Sequence, residues 1–161
     1  RFNNLMGETF IIPEAKIQDD TKYIIGTDGE KMSKSKNNII DIFLDNKTLR
    51  KQIMKIETRS LSIEDPKDPE DCNVFRLYEV IASKNEVKLL KKQYLKGGIG
   101  YGAAKELLFD KILNRFSKNR EKYFELLEDR SELEDLLSSG SKRARLQAQK
   151  VLKRVRSRVG F

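Results

Sequence analysis

Asp28-Gly29-Glu30-Lys31-Met32-Ser33-Lys34-Ser35 lies within a polar stretch that separates two kinds of sequence. Before it, Phe10-Ile11-Ile12 and Tyr23-Ile24-Ile25 are short β-favouring runs bounded by Gly, Pro and Asp, which read as α/β material. From Gly26 to Asn38 the one apolar side chain of any size is Met32, so nothing apolar anchors most of the loop, and residues 27–38 are expected to be mobile without a bound ligand. Lys31 and Lys34 are three residues apart and separated by small or flexible residues, so they can close over a polyphosphate. Lysine is a mobile point charge, suited to a leaving group whose negative charge grows in the transition state. Ser33 and Ser35 let the backbone approach phosphate oxygens and add hydroxyl donors. The plain alternative is a lysine-rich surface loop, and spacing alone favours it.

Beyond the loop the pattern turns helical. Residues 39–44 are expected as a further extended piece, and Asp45 can cap a helix with Leu49, Ile53 and Ile56 on one side. Glu64-Asp65-Pro66-Lys67-Asp68-Pro69-Glu70-Asp71 is acidic and broken by proline, and a domain boundary is expected there. Val74, Tyr78, Ile81 and Ala82 then share a helical face, as do Val87, Leu90 and Tyr94 before Gly97-Gly98. A long helix is predicted from about Gly102 to Leu127, with Ala104, Leu107, Leu108, Ile112 and Phe116 inward. Ser131-Glu132-Leu133-Glu134 reads as a capping box opening a short helix that ends at Gly140. A last helix carries Ala144, Ala148, Val151, Val155 and Val159 and stops at Gly160. The expected assembly is a bundle of about five amphipathic helices.

Composition removes several chemistries. The 161 residues include no His, no Trp and one Cys, so His-based acids, bases and ligands, an internal disulfide and a multi-Cys zinc site are excluded. No apolar run approaches the ~20 residues that cross a bilayer, no signal peptide opens the chain, and a cytoplasmic protein is expected. The opening Arg1-Phe2-Asn3-Asn4-Leu5 reads like the middle of an element, which suggests a piece of a longer chain. All of the +8 net charge sits in the last 21 residues: Lys142, Arg143, Arg145, Lys150, Lys153, Arg154, Arg156 and Arg158 have no acidic neighbour there. Setting those eight aside from the 33 basic residues leaves 25, which balance the 25 acidic ones. Such a segment can attract a polyanion, and a solvated basic helix is an equally ordinary reading.

Lys31-Met32-Ser33-Lys34-Ser35 is the full signature pentapeptide of class I aminoacyl-tRNA synthetases. Around it, Arg1-Phe2-Asn3, Gly7-Glu8-Thr9-Phe10 and Pro13 resemble the segment before this loop in tryptophanyl-tRNA synthetases. Cys72-Asn73-Val74-Phe75, Gly100-Tyr101-Gly102 with Lys105, and the ending from Gly140-Ser141-Lys142-Arg143-Ala144-Arg145 to Gly160-Phe161 resemble that family too. The resemblance runs in order over essentially the whole chain. It implies a mainly α protein: over 1–65 the end of a Rossmann-like α/β catalytic domain carrying the loop, then over 66–161 a helical-bundle anticodon-binding domain. It also implies an enzyme that activates tryptophan with ATP and Mg²⁺ and transfers it to tRNA(Trp), as a homodimer. Lys31 and Lys34 would be its catalytic lysines, neutralising the pyrophosphate. Met32 would seat the loop near the adenine, and Ser33 and Ser35 would support the ATP phosphates. The family's HIGH-type motif cannot be present without His, and its tryptophan pocket lies upstream, so this piece alone is expected to be inactive.

Other candidates are weaker. Gly98-Ile99-Gly100-Tyr101-Gly102-Ala103 matches a dinucleotide pattern, but a lysine-rich helix precedes it where a strand is required, so turn glycines are the better reading. Cys72 at a helix start reads as a small buried residue, since no His can activate it. Glu125, Glu128, Asp129, Glu132, Glu134 and Asp135 lack the spacing of a calcium loop and read as a solvated helix end. In the terminal helix, Lys142, Arg143, Arg145 and Lys150 are the candidates for tRNA phosphates. The rival readings are a tyrosyl-tRNA synthetase piece, against which the Cys72 helix and the ending stand, and a non-enzymatic helical RNA-binding module.

Overall fold

The computed structural model describes residues 1–17 and 23–161. Its elements are α1 (Phe2–Met6), a 3₁₀ turn (Lys34–Lys36), α2 (Asn46–Met54), α3 (Asn73–Ile81), α4 (Lys84–Lys96), α5 (Tyr101–Glu128) and α6 (Arg130–Val159). The mainly α class expected from the sequence is therefore what forms. The β-favouring runs do not become strands: among the described residues, pairing is limited to an isolated antiparallel bridge between Ile25 and Lys31. A strand needs a neighbour for its N–H and C=O groups. At Phe10 that neighbour is the Asn3 amide, which accepts from Phe10 N at 2.9 Å and donates to Phe10 O at 2.7 Å. Residues 39–44 form a turn, in which Asp41 accepts from the amides of Phe43 and Leu44.

By contacts the chain falls into two units, Gln18–Glu121 and Arg1–Ile17 with Lys122–Phe161. The first holds the core. Asp45 caps α2, accepting from Thr48 N at 3.0 Å, and Leu49, Ile53 and Ile56 are buried as the spacing predicts. Val74, Phe75, Leu77 and Tyr78 of α3, Leu90 and Tyr94 of α4, and Ala104, Leu108, Phe109 and Ile112 of α5 complete it. Ser83 and Glu86 form a reciprocal capping box at the start of α4. Gly97 ends that helix at φ +80°, and a Cβ there would stand 2.2 Å from the Glu64 oxygen, so glycine is required twice over. The segment after Asp65 is packed. Lys67 is buried, and its Nζ donates to the carbonyls of Ser62, Ile63 and Asp65 at 2.8, 3.2 and 2.9 Å. The boundary expected at residue 66 rests on composition; by packing, this unit runs through it.

In the other unit the structure corrects the reading of the C-terminal helices. There is no break at Gly140: a single helix runs over Arg130–Val159. The cap is Asp129, which accepts from the amides of Ser131 and Glu132 at 3.0 and 3.1 Å, in place of a Ser131 capping box. A charged carboxylate taking two amides is a stronger cap than a hydroxyl. One interior glycine costs a helix only about 1 kcal/mol, which the flanking leucines, lysine and arginines offset. Gly160 does end the helix, at φ +90°. No residue of α6 is fully buried; Val151 and Val155 are half-buried, and Ala144, Ala148 and Val159 are exposed.

Candidate functional site

Residues 26–38 form a closed loop. Gly26 N donates to Glu30 O at 2.7 Å and Met32 N to Ile24 O at 2.9 Å, so Lys31 leaves a tight hairpin. Gly29 turns that hairpin at φ +78°, and a Cβ there would stand 2.6 Å from the Asn73 side-chain oxygen at the start of α3. The Thr27 carbonyl accepts from Glu57 N at 2.8 Å, which ties the hairpin to the chain after α2. Lys34 begins the 3₁₀ turn, which closes with Asn37 N donating to Lys34 O at 3.1 Å and Asn37 in the left-handed region at φ 53°. The Ser33 and Ser35 hydroxyls lie 2.8 Å apart.

What holds this backbone is polar. Asn38 is 2% exposed, and every polar group of its side chain is used. Its Oδ1 accepts from Ser33 N at 2.8 Å; its Nδ2 donates to Asp28 Oδ1 at 2.7 Å and to Lys31 O at 3.2 Å. Its backbone oxygen accepts from Thr27 N at 2.9 Å. The same Asp28 oxygen accepts from Glu30 N at 3.0 Å. The Asn38 hydrogen bond, above all, holds the Asp28 carboxyl below its ordinary range. The sequence alone assigns no role to Asn38 or to the Asp28 carboxylate. The available signal was a Gly-Thr-Asp-Gly turn followed by Asn-Asn, residue types that bond backbone groups in loops.

The chemistry-bearing side chains project from this frame. Lys31 and Lys34 are both exposed, and the salt bridges among the described residues include neither. The nearby ion pair is Lys36 with Glu30, at 3.6 Å. Met32 turns the other way, into an apolar cleft of about 390 Å³ that it lines with Ile24, Ile40, Ile42, Leu77 and Phe116. The loop thus exposes two cations with no salt-bridge partner among the described residues, carries two hydroxyls in contact with each other, and is seated by a thioether in the apolar cleft. That arrangement can gather around a polyanion without first breaking an ion pair.

The remaining candidates separate cleanly. Lys142, Arg143, Arg145 and Lys150 are all exposed along α6. Cys72 is buried at the start of α3 with its sulfur 3.5 Å from the Tyr94 hydroxyl, and burial pushes that phenol's pKa up. Among the described residues no group of three or more acidic or thiol side chains is placed to hold a metal. Asp129 serves as a helix cap, and Lys122 pairs with Glu125 and Glu132. Gly98 lies in the turn between α4 and α5 at φ +90°, as the turn-glycine reading expects. Lys105 donates to the last carbonyl of α2, Met54 O, at 3.0 Å, and burial lowers its pKa.

Comparison with known proteins identifies the family. The family model of class I tRNA synthetases (W and Y) matches residues 1–117. A tryptophan–tRNA ligase of Campylobacter jejuni is 43% identical over 161 residues, covering 100% of this chain and 50% of the relative. One from Rhodopirellula baltica is 43% identical over 160 residues, with 99% and 50% covered. The crystal structure of the Campylobacter jejuni tryptophanyl-tRNA synthetase with ADP and tryptophan superposes with a TM-score of 0.85 at 43% identity, covering 99% of this chain and 50% of that one. The chain spans about half the length of the curated relatives it matches. With the family model covering most of its length, the chain belongs to the class I tRNA synthetases of the tryptophan and tyrosine type.

Proposed function

We propose that this chain is the C-terminal half of a tryptophan–tRNA ligase and that it supplies the phosphate-binding loop and the tRNA-binding helices. The observation that carries this is the intact loop of residues 31–35, both lysines exposed, in a chain 43% identical along its whole length to such ligases. In the reaction a tryptophan carboxylate oxygen attacks the α-phosphorus of ATP. The bond from that phosphorus to the oxygen bridging to the β-phosphate breaks, and pyrophosphate leaves with the electron pair. Lys31 and Lys34 meet the charge that grows on the leaving group, a contribution selective for the transition state. The hydroxyls of Ser33 and Ser35 donate to phosphate oxygens, and Met32 seats the loop beside the nucleotide. Magnesium bound to ATP would add charge neutralisation on the phosphates beside the two lysines. The amino acid then passes to the 3′ end of tRNA(Trp).

In this reading residues 1–65 close the catalytic domain and residues 66–161 bind the anticodon arm, with Lys142, Arg143, Arg145 and Lys150 on phosphates. The whole enzyme is a cytoplasmic homodimer; no helix among the described residues is long and apolar enough to cross a membrane. The test is amino-acid-dependent ATP–pyrophosphate exchange by the full-length protein. Exchange with tryptophan and none with tyrosine is expected, and no exchange from this chain alone. Exchange with tyrosine would move the protein to the tyrosyl branch, and none with either would leave a helical RNA-binding module.

A further inference from the structure

We propose that Asn38 is the positioning residue of the loop, holding Lys31 and Lys34 as a pair toward the departing pyrophosphate through a carboxamide whose donor and acceptor ends cannot be exchanged. The inference rests on the ligase reading above and adds a residue to it.

The two lysines are exposed, and each ends a stem of four rotatable bonds. What the fold can preorganise is therefore where their α-carbons stand. Two peptide groups control that: the carbonyl of Lys31 itself and the amide of Ser33, immediately before Lys34. Asn38 binds both, donating to the first at 3.2 Å and accepting from the second at 2.8 Å. Its remaining N–H goes to Asp28 Oδ1 at 2.7 Å, and Asp28 in turn fixes the hairpin through Glu30 N. One side chain thus spans both ends of Met32 and the turn before it. At 2% exposure, water is not at hand to replace a lost partner. The neighbouring backbone leaves it no freedom: Thr27 N is bonded to its carbonyl, and Gly26 is pressed against it.

The polarity of the contact is what identifies the residue. Asp28 and the Lys31 carbonyl are acceptors and require N–H groups; Ser33 N is a donor and requires an oxygen. Of side chains this length only a primary amide offers both. Most of the apolar core is drawn from α2 to α5, so the loss of Asn38's polar contacts falls first on the loop.

Two variants test this. Asn38→Asp keeps the size and the acceptor for Ser33 N, but turns an oxygen on Asp28 and the Lys31 carbonyl; Asn38→Ala removes all three bonds. In the chain itself, hydrogen exchange at the Ser33 amide should quicken by at least about tenfold in Asn38→Ala. It should quicken likewise in Asn38→Asp, because repulsion from Asp28 and the Lys31 carbonyl pushes the carboxylate off Ser33 N. Core amides such as Leu49 and Ile53 should be unchanged. In the full-length protein, the turnover number for tryptophan-dependent pyrophosphate exchange should fall by about 10²-fold, while KM for tryptophan stays within about twofold, as misplacement of reacting groups predicts. A merely structural residue would reduce the active fraction and weaken protection throughout. Loss of core protection in both variants, or a normal turnover number beside an active wild type, overturns the proposal. A wild type that makes no adenylate brings down the ligase reading and this inference with it.

Discussion

A Cβ placed on Gly26 would stand 2.3 Å from the backbone oxygen of Asn38 and 2.5 Å from its side-chain Cγ. The closest obstacle is backbone that already accepts from Thr27 N, so it cannot swing aside as a flexible side chain would. Gly26→Ala should therefore displace the Asn38 segment. The expected cost is about 1–3 kcal/mol, the range for forcing an extra methyl into a packed site. Urea unfolding of the chain measures it. In the full-length protein a parallel drop in pyrophosphate-exchange turnover should accompany it; stability lost with no change in turnover would separate the hinge of the loop from its catalytic placement.

Lys31→Ala and Lys34→Ala should each slow adenylate formation in the full-length protein by about 10²–10³-fold, the usual loss for one preorganised charge-stabilising group. Tryptophan affinity should hold, because the proposed role of both lysines is toward the leaving pyrophosphate and not toward the amino acid. Single-turnover adenylate formation beside equilibrium tryptophan binding distinguishes the two. Equal losses in both would mean that the lysines bind substrate and transition state alike.

The helices were legible because their signals are local. Asp45, Gly97 and the spacing of Leu49, Ile53, Val74, Tyr78, Leu90 and Tyr94 each report on a single turn of chain, and all stand where the pattern puts them. Lys31 and Lys34 were legible through the resemblance, since their spacing alone fits an ordinary surface loop. Asn38 was not, because its role depends on a carbonyl seven residues back, an amide five back and a carboxylate ten back. The β-favouring runs misled for a related reason: alternation cannot say whether a partner strand exists. The C-terminal helix was split in two because Gly140 and Ser131 are both strong local punctuation, and a better cap at Asp129 took precedence.

Glu86 gives the fold an acid-sensitive point. Hydrogen bonds from Lys111 first, and then from Ser83, hold its carboxyl at about 2, against an ordinary 4.5. A depressed folded-state value means that the stabilisation is complete above about 4.5 and is lost as pH falls toward about 2. Glu86→Gln should therefore lower the thermal midpoint at pH 7, and the gap from wild type should close as pH falls through that window. Thermal melts from pH 7 to pH 2 check this, and a gap that persists at pH 2 would place the effect in helix capping by the side-chain amide rather than in charge.

Exposed cations along α6 make a prediction about salt. If Lys142, Arg143, Arg145 and Lys150 contact tRNA phosphates, each should contribute about 0.7–0.9 to the slope of log affinity against log salt. Replacing all four with alanine should flatten the slope by about 3 and weaken native and anticodon-changed tRNA(Trp) alike, since phosphate contacts carry no sequence information. Titrations at two salt concentrations suffice. An unchanged slope would remove this face from the RNA interface.

Gly140 sits inside α6, and a Cβ there would meet nothing within 4 Å. Glycine in a helix interior is worse than alanine by roughly 0.5–1 kcal/mol, because more backbone freedom is lost on folding. With open space around it, the substitution brings no compensating clash. Gly140→Ala should therefore stabilise α6 by about that amount and raise helicity at the melting midpoint, as followed by circular dichroism. The opposite sign is expected if the chain stopped at Gly140 in the left-handed region, as the sequence pattern alone suggests, because alanine would be strained there. The direction of this one change thus distinguishes a continuous 30-residue helix from two short ones.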